Sequence, residues 1–129
     1  MEEFQAADIV VIGVAMYNFT IPSQLKAWID RILVAAQTFW YGADGPEGLA
    51  NGKCVIAALA RGGLYGEGAP SAPMEHAETY LRGVLDFIGI VDPEFIIAEG
   101  VALGDGARQA AITTAQERVR SIGRNRLAA

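Results

Sequence analysis

Three apolar runs constrain this chain more than any other feature: DIVVIGVA over Asp8 to Ala15, KCVIAALA over Lys53 to Ala60 and EFIIAE over Glu94 to Glu99. Each is nearly continuous rather than alternating, which suits a parallel strand covered on both faces. Helical patterns lie between and after them. Across Pro22 to Ala36 the apolar residues Leu25, Trp28, Ile29, Ile32, Leu33 and Ala36 recur at spacings of three and four, forming one stripe that faces a sheet. Pro22 is tolerated in the first turn, whose N–H groups lack intrahelical partners. The spacing predicts a second helix from about Ala72 to Ile88, with Ser71 as N-cap and Gly89 as stop. Its core stripe would be Ala77, Leu81, Val84, Leu85 and Ile88. A third helix is expected from about Gly106 to Ile122, with Asp105 as cap and Gly123 as stop. The order βαβαβα implies an α/β parallel sheet of three main strands with flanking helices and right-handed crossovers.

Composition narrows the class. At 129 residues and 52% hydrophobic, the chain fits a single domain over 1–129 with one core. Its longest apolar runs are far shorter than the roughly 20 residues that span a bilayer. Met1-Glu2-Glu3 is acidic, unlike the start of a secretory signal, and the single Cys54 cannot form an internal disulfide, so a cytoplasmic protein is expected. A net charge of −5 argues against phosphate-backbone binding, which needs a concentrated cationic face. The basic residues Arg118, Arg120, Arg124 and Arg126 read as a solvated helix face. His76 has no second His or Cys at ligand spacing, so no metal site is expected, and Cys54 in its apolar run reads as an inert core thiol.

Chemistry is expected at the carboxyl ends of the strands, where open parallel sheets bind ligands. Two loops lie there, Met16-Tyr17-Asn18-Phe19-Thr20 after the first strand and Arg61-Gly62-Gly63-Leu64-Tyr65-Gly66 after the second. The first supplies a sulfur side chain, two aromatic rings and an amide. The second supplies adjacent glycines, whose N–H groups can approach a flat ligand with no Cβ in the way, and Arg61 as a fixed positive charge. The combination suits a planar cofactor, although an aromatic loop can equally be packing and Gly-Gly a simple turn. Gln37 to Gly52, 16 residues with Phe39, Trp40 and Tyr41 beside the turn residues Ala43-Asp44-Gly45-Pro46, reads as a functional or interfacial loop, or as a hydrophobic lid on the sheet edge.

At these residues a family resemblance becomes specific. AMYNFTIPSQLKAWID resembles the MYNF segment and following helix of the FMN-dependent NADH-azoreductases and NADH:quinone oxidoreductases, which have a flavodoxin-like fold. TFWYGADGPEGL resembles that family's TFRYTENGPEGL stretch, Ala60-Arg61-Gly62-Gly63 resembles its SRGG loop, and LDFIGI followed by FIIAEG resembles its last helix–strand junction. The likeness runs from about residue 6 to residue 105. It implies FMN as cofactor, NADH or NADPH as electron donor and a quinone or azo compound as acceptor, in a two-electron ping-pong reaction. It also implies a homodimer. By the same resemblance Met16, Tyr17, Asn18 and Phe19 would contact the isoalloxazine and ribityl region, and Ala60, Arg61, Gly62 and Gly63 would line its polar edge. Tyr41 and Phe87 would cover the substrate side of the flavin across the dimer interface. No side chain is assigned as a general acid.

Departures from the family pattern set further expectations. Ala60 stands where the family has serine, removing a hydroxyl near the flavin, and Trp40 replaces arginine near the substrate mouth. The strand Ile9 to Ala15 corresponds to the third of the family's five, in spatial order 2-1-3-4-5. On that reading the chain is a truncated flavodoxin-like sheet without the serine-rich loop that holds the FMN phosphate. FMN affinity would then be weak, and Ile9 to Ala15 would be an exposed apolar edge open to another chain. The alternatives to an active enzyme are a non-catalytic fragment that self-associates or needs a partner chain, and a module that takes riboflavin.

Overall fold

A computed structural model describes the backbone of residues 1–127 and the side chains of residues 1–124. Its elements are α1 (Glu2–Ala6), β1 (Ile9–Ala15), α2 (Ser23–Ile32), β2 (Phe39–Gly42), β3 (Gly45–Gly48), β4 (Cys54–Arg61), a 3-10 turn (Ala72–Met74), α3 (Glu78–Phe87), β5 (Glu94–Glu99) and α4 (Asp105–Leu127). The three apolar runs form the expected parallel sheet, in the order β1-β4-β5. Ile9 pairs with Cys54, Ala15 with Ala60, and Arg61 with Glu99.

The two faces of the sheet differ. Ile12 and Val14 of β1 and Val55 and Leu59 of β4 lie under Ile29 and Ile32 of α2 and Leu81 and Leu85 of α3, all buried in one cluster. Burying each such side chain contributes roughly 1.5–3 kcal/mol, so this face holds the domain together. On the other face α4 packs on β5, where Ile96 and Ile122 are buried and Arg118 pairs with Glu94 at 2.8 Å. Ile9 (60% exposed) and Val11 (68%) of β1 stay bare there, and the second edge of β1 pairs with no strand among the described residues. The expectation of strands covered on both faces therefore fails for β1, and the expectation of an exposed apolar edge holds.

Helix boundaries moved for identifiable reasons. The first helix ends at Ile32 rather than Ala36, because the buried Thr38 hydroxyl donates to Ile32 O at 2.5 Å and accepts from Val34 N–H. Ala36 is consequently exposed, with φ 64°. The second predicted helix breaks into the 3-10 turn and α3, and Ser71 makes no side-chain cap. Glu75 caps α3 instead, accepting the N–H groups of Ala77, Glu78 and Thr79 at 2.8, 2.7 and 3.0 Å. Gly89 does stop that helix: its N–H reaches Asp86 O while Ile90 N–H reaches Leu85 O, the Schellman arrangement. Gly123 does not stop α4, which runs on to Leu127. The side chain of Arg126 lies outside the described residues.

The segment Gln37 to Gly52 is not a loop. Phe39 pairs with Gly48 and Gly42 with Gly45, making a two-stranded antiparallel hairpin that turns at Ala43-Asp44. Trp40 Nε1 donates to its cross-strand partner Glu47 at 2.8 Å. The short α1 had no signature in the apolar pattern. It docks through buried Phe4, whose ring meets Trp28 edge-on at 6.0 Å.

Candidate functional site

The two predicted loops meet. Met16 N–H donates to Ala60 O at 2.8 Å, so the start of the first loop is fastened to the end of β4. Tyr17 and Thr20 then exchange both backbone hydrogen bonds, at 2.8 and 3.1 Å, closing a tight turn. Its central residues Asn18 and Phe19 have φ 46° and 72°, left-handed backbone that asparagine visits readily and that costs a bulky residue such as Phe19 roughly 1–2 kcal/mol. The turn leaves Tyr17, Asn18 and Phe19 exposed and Met16 half-buried. Strained backbone presenting exposed aromatics at a strand's carboxyl end is a pattern concentrated at ligand sites.

The second loop is held from below. Gly63, Gly62 and Arg61 carbonyls accept the N–H groups of Gly100, Ala102 and Val101 at 2.9, 3.0 and 3.1 Å. The N–H groups of Gly62 and Gly63, by contrast, have no acceptor among the described residues. Phe19 and Tyr65, one from each loop, stand edge-on at 6.2 Å. Beside the turn opens a groove of about 440 Å³ lined by Tyr17, Asn18, Thr20, Ile21, Lys26 and Tyr80.

Arg61 is placed differently from a charge offered to a ligand. Its residue is 2% exposed, and its guanidinium lies among Glu78 at 2.6 Å, Glu75 at 3.4 Å and Glu99 at 3.4 Å. Its charge is thus neutralised inside the protein, while its Nε is buried without a hydrogen-bond partner. Burial pushes the Glu75 carboxyl up, but the N–H groups of Thr79, Glu78 and Ala77 and the Thr79 hydroxyl outweigh it and hold that carboxyl below its ordinary 4.5. These three glutamates escaped sequence reasoning. The legible signal for Glu99 was its position as the last residue of an apolar run, level with Arg61 at the end of the neighbouring run.

Tyr41 and Phe87 lie together but elsewhere. Phe39 bridges them, 5.6 Å from the Tyr41 ring and 4.8 Å from the Phe87 ring. Glu78, which touches Arg61, opens α3, and Phe87 closes it. At 1.5 Å per residue, the aromatic cluster sits roughly 14 Å along the helix from the Arg61 network. His76 is exposed, Cys54 is half-buried, and no cluster of metal-ligating side chains occurs among the described residues. No described helix is long and apolar enough to cross a membrane.

Residues 1–122 match the sequence profile of the flavodoxin-like fold. The chain belongs to the flavodoxin-like fold family. Among relatives of this flavodoxin-like chain, an FMN-dependent NADH:quinone oxidoreductase of Methylorubrum extorquens is 68% identical over 115 residues, covering 89% of this chain and 57% of that protein. FMN-dependent NADH:quinone oxidoreductase 2 of Bradyrhizobium diazoefficiens is 61% identical over 122 residues, covering 95% and 60%. The crystal structure of an FMN-dependent NADH-azoreductase from Bacillus anthracis in complex with FMN superposes with a TM-score of 0.87 at 32% identity, covering 99% of this chain and 59% of that one. The flavodoxin-like chain therefore spans less than two thirds of the length of these relatives. The motif resemblance to azoreductases and quinone oxidoreductases is borne out by them.

Proposed function

We propose that this chain forms the flavin-ring side of an FMN-dependent oxidoreductase that moves two electrons from NADH or NADPH to quinones or azo compounds. The observation that carries the reading is the junction of the Tyr17–Thr20 turn with the paired free N–H groups of Gly62 and Gly63, at the carboxyl ends of neighbouring strands. The names and similarity of the relatives support it.

The residues present fit a flavin ring. An isoalloxazine needs N–H donors for its carbonyl oxygens and ring nitrogens, an acceptor for its N3–H, and apolar faces. Gly62 and Gly63 offer donors, the Asn18 amide offers a donor and an acceptor, and Met16, Tyr17, Phe19 and Ala60 offer apolar surface. Arg61 acts in this reading by holding the loop rather than by touching the ring with its charge. When bound, FMN supplies the acceptance and donation of hydride, which no side chain here can perform. The protein binds the ring, orients it and shields one face. No side chain serves as general acid, and solvent protonates the product.

Tyr41 and Phe87 fit the reading only if they cover the ring of a second subunit, because within one chain they stand at the far end of α3 from the loops. A homodimer is accordingly part of the proposal. The setting is the cytoplasm, where NADH is available and the lone thiol of Cys54 stays reduced.

A second reading rests on the bare face and open edge of β1: a non-catalytic fragment that self-associates or requires a partner chain. Purification followed by an absorption spectrum, an FMN titration and NADH-dependent menadione reduction separates the two. A flavin band with FMN-dependent turnover supports the enzyme. Absence of flavin binding and of turnover sinks it for these 129 residues.

A further inference from the structure

We propose that Glu99 and Arg61 are positioning residues, a brace that holds the Gly62-Gly63 loop in its ligand-ready form and ties it to the Tyr17–Thr20 turn. The inference rests on the flavin-ring reading of those two loops.

The two residues are register partners at the ends of β5 and β4. One oxygen of Glu99, Oε2, accepts Tyr65 N–H at 3.0 Å, Gly66 N–H at 3.1 Å and Arg61 Nη1 at 3.4 Å. The loop from Gly62 to Gly66 is therefore pinned at its far end by a side chain rooted beside its near end. The carbonyls of Arg61, Gly62 and Gly63 are already taken by the N–H groups of Val101, Ala102 and Gly100. Among the loop's N–H groups this bonding leaves over those of Gly62, Gly63 and Leu64, the first two with no Cβ beside them. A diglycine segment left loose samples many backbone states, and ordering it on binding would weaken the ligand's hold; fixing it beforehand removes that cost.

The other end of the guanidinium extends the brace. Arg61 Nη2 meets Glu78 at 2.6 Å and Glu75 at 3.4 Å at the start of α3. Next to Glu75, His76 N–H donates to Phe19 O at 2.9 Å, and Thr20 Oγ1 donates to His76 O at 3.2 Å. An unbroken path of contacts thus runs from Gly66 through Glu99, Arg61, Glu75 and His76 to Phe19.

Three carboxylates are more than one guanidinium needs. Glu75 uses both of its oxygens on the backbone N–H groups of residues 77 to 79, and Glu99 uses one, Oε2, on those of residues 65 and 66. Desolvation offsets much of the attraction in buried ion pairs, so such a network adds little net stability. Its contribution here is the geometry of two loops.

The test compares wild type, Glu99→Ala and Glu99→Gln by two readouts. The first is amide hydrogen exchange of residues 62–66 in ligand-free protein; the second is a titration with riboflavin, a probe that needs no phosphate site, followed by fluorescence quenching. In Glu99→Ala the loop should exchange about tenfold faster with β4 and β5 unchanged, and the riboflavin dissociation constant should rise about tenfold, the loss expected when preorganised donors become mobile. Glu99→Gln keeps an acceptor and should recover part of both. Unchanged exchange in Glu99→Ala overturns the brace, and faster exchange with undiminished riboflavin binding overturns the positioning role. Should Glu99→Ala not fold, Glu99→Gln decides by the same two readouts, wild-type values in either one overturning the proposal. Wild-type protein that fails to quench riboflavin sinks the flavin reading, and the exchange comparison still judges the brace.

Discussion

Gly48 of β3 lies so close to Gly89, after α3, that a Cβ built on Gly48 would fall 2.1 Å from Gly89 N and 2.2 Å from the carbonyl carbon of Ile88. Backbone on both sides leaves nothing that can move aside. Ala50 N–H, donating to Ile88 O at 2.8 Å, continues the same seam. Gly48→Ala should therefore lift the aromatic hairpin from α3 and destabilise the protein by roughly 1–3 kcal/mol, the usual range for overpacking. Thermal unfolding measures the loss. Trp40 fluorescence reports the hairpin, and an unchanged melting temperature would contradict the close approach.

Phe19 carries a stability–function conflict. Its φ of 72° is strained for an L-residue with a bulky side chain, and glycine would relieve it. Phe19→Gly should leave the melting temperature equal or higher while weakening riboflavin quenching, since the exposed ring is lost. A variant that is both less stable and still a good binder would mean that the ring packs the loop rather than a ligand.

Glu75 gives the fold a pH dependence. Its carboxyl is held below 4.5 in the folded protein, so the stability it contributes is present above 4.5 and is lost as pH falls through the lower folded value. Glu75→Gln should lower the melting temperature at neutral pH. The gap between variant and wild type should narrow as the pH drops beneath 4.5. A gap independent of pH would show that the cap acts by shape alone.

FMN should bind these 129 residues no more tightly than riboflavin. Among the residues assigned to the flavin site, the one cation is Arg61, and its charge is already surrounded by three glutamates. A phosphate dianion gains little from such a site in a chain of net charge −5. Parallel titrations with the two ligands decide it. A tenfold preference for FMN, about 1.4 kcal/mol, would point to a phosphate cradle among these residues.

The β1 edge should drive association. Val11 is 68% exposed on a bare sheet face beside an unpaired strand edge, the arrangement that invites pairing with another chain. Light scattering at micromolar concentration should find assemblies larger than one chain, and Val11→Lys should shift them toward monomer. A well-behaved wild-type monomer would count against the edge as an interface.

How much of this was legible in the sequence differs from element to element. The runs Asp8 to Ala15, Lys53 to Ala60 and Glu94 to Glu99 announced the strands β1, β4 and β5 and their parallel pairing, because continuous apolar character has few other uses in a short segment. The stop at Gly89 was legible because few other residues take its left-handed backbone so readily. The two site loops followed from the strands, since a strand's carboxyl end is where an open parallel sheet accepts ligands. The hairpin Phe39–Gly48 read as a loop because its strands are four residues each and rich in glycine, too short to show a period. The break before α3 was hidden because the side chain that caps it, Glu75, stands inside the segment whose apolar spacing suggested one continuous helix.

The linear order of residues determined which segments would form the parallel sheet and which loops would flank the site, since both depend on local composition and period. The role of Arg61 was decided only by the tertiary structure. In the sequence it is one cation beside two glycines, open to any anion or ring. In the fold, Glu75 and Glu78, 14 and 17 positions later, and Glu99, 38 positions later, converge on it and close it off from solvent. Charge acts through space with a reach of a few ångströms, and separation along the chain does not reveal which groups will come that near.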